Sequence, residues 1–83
     1  MNDMMIDPQA VVLRDRLLAL AAEPLDELDK LSKGDTGEVA RENGRYEAAR
    51  SALIAWIATF GQVAEFQAPN VADIIIANYR RER

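Results

Sequence analysis

Arg45, Tyr46 and Arg50 have the types and the spacing to do chemistry. Two guanidinium groups beside a phenol make a contact for an anionic metabolite or a nucleotide. Tyr79 joins them as a candidate if such a ligand sits at an oligomer interface. The cationic ending "NYRRER" has two readings. As a site, Arg80, Arg81 and Arg83 give an anion or a nucleic-acid strand three charges and a ring to stack on. As structure, they complete a helix C-terminus, where cations suit the dipole. The structural reading is preferred. Ten basic side chains against fourteen acidic ones leave a net charge of −4, and phosphate neutralisation needs a basic surface. Direct nucleic-acid binding through these arginines is therefore the least favoured function.

The acidic charge is concentrated. Residues 1–40 hold nine acids and four bases, and residues 41–83 hold five acids and six bases. Asp26, Glu27 and Asp29 form the densest run. With Tyr79, Arg80 and Arg81 they are the candidate contacts for another protein, the acids suiting a partner with a basic surface. The plain alternative is a solvated helix face. A cation site is not expected, because the Asp-x-Asp start of a calcium loop is not completed.

Catalysis finds little support. The chain has no histidine and no cysteine, so Ser32 and Ser51 lack a histidine base, and Cys-based metal sites and disulfides are excluded. Glu42 and Glu47 have no spacing that marks a catalytic pair. "KGDTGE" lacks the Gly-Lys-Ser/Thr ending of a phosphate loop, and Asp35 and Glu38 would repel phosphate. The expectation is a non-enzymatic protein without cofactor or metal.

These residues need elements to position them, and the 83-residue chain reads as one all-α domain over residues 1–83. Four helical segments are expected, at about 8–22, 24–33, 37–62 and 70–81, forming a small bundle dominated by one long helix. Asp7 caps the first helix and Pro8 opens it, with Ile6 and Val11 spaced as a hydrophobic staple. Val11, Leu13, Leu17, Leu18, Leu20 and Ala21 give it a broad apolar stripe. Pro24 is expected to break or kink the chain near residues 22–24. Asp35 and Glu38 resemble a capping box for the long helix, with Thr36 as the alternative cap. Tyr46, Ala49, Leu53, Trp56, Ile57 and Phe60 recur on one of its faces. Pro69 ends whatever precedes it, and Asn70 is the expected cap of the last helix. "DIII" within that segment also suits a strand, but helix is preferred because no partner strand is visible.

A chain this short has a marginal core, and without disulfides or metal it gains most from close packing or self-association. Ile74, Ile75 and Ile76 span about 200° of a helix surface, more than a small core covers. Asn43-Gly44, normally a turn signal, sits within the long helix. Gly44, Ala48 and Ala52 then line a small-residue strip beside Trp56 and Phe60, where a second backbone could approach; a helix start or a ligand contact at Gly44 are the alternatives. The expected self-association interface is thus Gly44, Ala48, Ala52, Trp56, Phe60, Ile74, Ile75 and Ile76, most simply in a two-fold dimer. The favoured function is protein–protein binding, as an adaptor, structural subunit or inhibitor covering a partner's surface. No apolar run reaches the roughly 18–20 residues of a membrane span, and the acidic start "MNDMMIDPQ" differs from a secretory leader, so the cytoplasm is the expected compartment.

Overall fold

A computed structural model describes residues 7–83. Three helices and one short turn account for the architecture: α1 spans Pro8–Lys30, α2 spans Thr36–Phe60, a single 3-10 turn covers Glu65–Gln67, and α3 spans Ala68–Glu82. The "DIII" segment is helical. The proposed staple residue Ile6 lies outside the described residues.

The start of α1 follows its sequence. Asp7 Oδ1 accepts from the Gln9 backbone N–H at 2.8 Å, and Pro8 occupies the first turn, where no partner for its nitrogen is needed. The expected break at Pro24 does not occur. One helix of 23 residues runs through it, so the segments expected at 8–22 and 24–33 are a single element. A mid-helix proline forfeits one backbone bond and costs about 3 kcal/mol. Pro24 is fully buried, and Leu25 beyond it packs on the core. That apolar contact lies on the side that faces the rest of the molecule and holds the helix together. With α2 at 25 residues, no single helix dominates.

Residues 31–35 turn the chain back. Asp35 Oδ2 accepts from both the backbone N–H and the hydroxyl of Ser32, each at 3.0 Å. This clasp replaces the expected capping box. Asp35 makes no side-chain bond to the start of α2, and Glu38 pairs with Arg41 instead. The return is antiparallel: Arg45 on α2 meets Glu23 on α1, and Trp56 meets Ala10. The Trp56 Nε1–H donates to the Ala10 carbonyl at 2.9 Å within a buried setting.

α2 ends tightly. The Gly61 N–H bonds the Ile57 carbonyl at 2.7 Å, and Gln62 takes a left-handed backbone with φ 57°. A Cβ on Gly61 would stand 2.7 Å from that carbonyl oxygen, so only glycine fits. α3 begins earlier than expected. Pro69 lies in its first turn instead of ending the preceding segment, and Asn70 is inside the helix, not its cap. This is the position where proline is tolerated.

α3 packs on one side of the α1–α2 hairpin, antiparallel to α2. Ala21, Ala22, Leu53, Ala68 and Ala72 are fully buried, and Ile57 and Ile76 nearly so. Alanines at these contacts let the backbones approach closely, with Leu53 and Ile57 filling the centre. Glu42 is the one buried charged side chain among the described residues; Arg45 Nη1 reaches its carboxylate at 2.9 Å. No described helix is long and apolar enough to cross a membrane.

Candidate functional site

The two sides of the hairpin differ in composition. α3 covers one. The other is an open groove between α1 and α2, formed by two adjoining hollows of about 350 and 310 Å³. Leu13, Leu17 and Leu20 of α1 form one wall. Ala48, Ala52, Ala55 and Thr59 of α2 form the other, and Trp56 and Phe60 close one end. Leu13 and Leu20 are each 45% exposed, large apolar side chains that the single chain leaves in water. Ala48, Ala52 and Ala55 are exposed as well.

Helical periodicity produces this groove. On α1, Leu13, Leu17, Leu20, Pro24 and Glu27 follow one another at steps of four, three, four and three. On α2, Arg41, Arg45, Ala48, Ala52, Ala55 and Thr59 alternate four and three in the same way. Both are seam spacings, the kind that keeps one helix edge facing a neighbour. From Ser51 to Ala64 the chain carries no charge at all, so the groove's upper half has no ionised group on its α2 wall.

The polar candidates meet on the opposite side. Arg50 forms a two-pronged pair with Asp73, at 2.7 and 3.1 Å, joining α2 to α3. Arg80 reaches Asp26 at 3.1 Å and Asp29 at 2.6 Å, and Arg83 also bonds Asp26, joining the ends of α1 and α3. The guanidinium groups beside Asp26, Arg83 first and Arg80 with it, hold its carboxyl below the usual carboxylate range despite an opposing desolvation. The Arg50 hydrogen bond does the same for Asp73. The Arg50 and Arg80 guanidinium pKa values rise correspondingly, through their carboxylate hydrogen bonds. Burial pushes the Tyr46 phenol up, and the nearby Asp73 charge adds to it.

The candidate partner contacts are therefore brought together within one chain. Asp26 and Asp29 are occupied by Arg80, Glu27 pairs with Lys30 at 3.5 Å, Arg81 bonds Asn78, and Arg83 stacks over the Tyr79 ring. The ligand candidates are separated. Tyr46 and Arg50 share a hollow of about 400 Å³ with Leu25, Glu47, Asp73 and Arg80, whereas Arg45 lines the groove on the other side and Tyr79 is outside both. Two carboxylates in the Tyr46 hollow offset its two guanidiniums, which makes it a poor anion cradle.

No family model, curated protein or solved structure matches the chain.

The expected interface residues divide in the same way. Trp56 and Ile76 are core residues of the single chain, 7% and 2% exposed, because α1 covers the one and the hairpin the other. Ile75 packs against the core at its edge, and Ile74, 57% exposed, points outward alone. Ala48, Ala52 and Phe60 stand at the groove. Gly44 is inside α2 and does not start it, with nothing within 4 Å of a Cβ placed on it. Sequence reading places Leu13 and Leu20 in one broad apolar stripe without singling them out as site residues. The signal was present: they lie seven apart, with Glu27 seven further on. No group of three or more metal-ligating side chains occurs among the described residues.

Proposed function

We propose that the protein works without catalysis, by binding another protein through the α1–α2 groove, as an adaptor, a structural subunit or an inhibitor. The observation that carries this reading is the pair of half-exposed leucines, Leu13 and Leu20, facing exposed alanines across an apolar furrow. Full burial of a leucine is favourable by about 1.5–3 kcal/mol, and a surface of large apolar side chains beside small ones is the form a helix-accepting groove takes. The version in which the acidic run of α1 meets a basic partner loses support, because Arg80 and Arg83 already neutralise Asp26 and Asp29. The same pairing weakens the readings in which the C-terminal arginines hold nucleic acid or Arg50 holds an anionic metabolite. Ala52→Glu places a charge in the furrow without touching the core. The expected result is a protein with unchanged helicity that has lost its protein contacts, self-contacts included. A variant that keeps them all would overturn the reading.

A further inference from the structure

We propose that the groove's occupant is the same groove of a second copy, related by a two-fold axis parallel to the helices, so that α1 of each copy lies on α2 of the other. The proposal rests on the protein-binding reading above and names the partner. Its first support is shape. One wall carries leucines and the other alanines. A two-fold along the helices sets each leucine ridge onto an alanine furrow, twice. An axis across the helices would set leucines on leucines and alanines on alanines, a clash beside a gap. Packing of ridges into furrows selects the first.

The second support is register. Arg45 meets Glu23 within the chain, at 2.5 Å, which fixes which levels of α1 and α2 coincide. At that register Leu13 stands level with Ala55, Leu20 with Ala48, and Glu27 with Arg41. A two-fold along the helices preserves levels. Each Leu20 therefore meets the Ala48 of the other copy, and Glu23 and Glu27 of one copy, beside their own partners Arg45 and Lys30, also face Arg45 and Arg41 of the other. Large meets small and acid meets base at successive turns of one seam. The crossed arrangement would instead carry Arg41 and Arg45 to the uncharged end of α2 of the other copy, where no carboxylate of that copy meets them. The assembly is a four-helix core of two α1 and two α2, with an α3 on each outer side.

The chain has no cysteine, so engineered thiols report the arrangement without background. The wild-type protein is measured by sedimentation equilibrium beside Ala52→Glu, and Leu20→Cys is mixed with Ala48→Cys under mild oxidation. The expected results are a two-chain particle at tens of micromolar, association weakened at least about a hundredfold in Ala52→Glu with helicity retained, and a mixed disulfide between the Leu20→Cys and Ala48→Cys chains. A wild-type particle of one chain at about 100 μM overturns the proposal, and the wider reading then survives only if Ala52→Glu abolishes contact with a different protein. A dimer that Ala52→Glu leaves intact overturns the choice of surface. A dimer in which Ala52→Cys links to itself while the mixed pair does not overturns the axis.

Discussion

The two sides of the α1–α2 hairpin use similar residues to opposite ends. On the α3 side, Ala21, Ala22, Ala68 and Ala72 are fully buried and charged pairs cross from helix to helix. On the groove side, Ala48, Ala52 and Ala55 are exposed, and the one ion pair between α1 and α2 among the described residues, Arg45–Glu23, lies at its edge. An alanine strip invites close approach on either side. Only one of the two strips receives a helix from its own chain. The difference teaches that the covered side carries the fold, and that the open side is the region whose composition the fold does not explain.

Truncations should separate the sides most strongly. Leu53 is fully buried between the helices, so Leu53→Ala should lose about 2–5 kcal/mol in urea unfolding. Leu20→Ala, on the open wall, should leave the single chain within about 1 kcal/mol of wild type while weakening protein contacts. Equal losses of fold stability would erase the distinction.

The glycines sharpen it next. Gly44→Ala meets open space within α2 and should stabilise the protein by up to about 1 kcal/mol, with assembly intact. Gly61→Ala drives a methyl into the Ile57 carbonyl and should destabilise. Thermal unfolding of both reads the opposite signs; a destabilised Gly44→Ala would reveal a neighbour that the single chain does not contain.

Acid should act on the covered side first. Asp26 and Asp73 have folded pKa values below their ordinary value of 3.8. The stability they contribute is fully present above that value and is lost as pH falls below it through the lowered folded values. Melting temperatures of wild type and Asp73→Asn should therefore converge between about pH 4 and pH 2. A gap that persists would show that the Arg50 pair is not what Asp73 contributes. The smallest effect belongs to that pair itself, with Asp73 half exposed: a double-mutant cycle on Arg50 and Asp73 should give about 0.2–1 kcal/mol.

What the sequence made legible follows from range. The all-helical class, the Asp7–Pro8 start and the body of α2 rest on periodicity and local caps, and the structure contains them. Pro24 was misread because its local penalty is visible in sequence while the burial that offsets it is not. Asp35 was misread because Ser32 competes for the same carboxylate that the helix start would use. The joins between helices, Arg50 to Asp73 and Arg80 to Asp26, span 23 and 54 residues and leave no local trace. For the groove, the alanines are legible as a strip and the leucines as an apolar stripe, but that the two face each other shows only once α1 and α2 are set in register.

The central claim is that the open side is covered by another chain. The unfolding temperature measured across a hundredfold range of protein concentration tests it most directly, because association raises the stability of the folded state by mass action. The account predicts a midpoint that rises with concentration for the wild type and stays fixed for Ala52→Glu. A wild-type midpoint that does not move across that range, with a single-chain particle throughout, would contradict it.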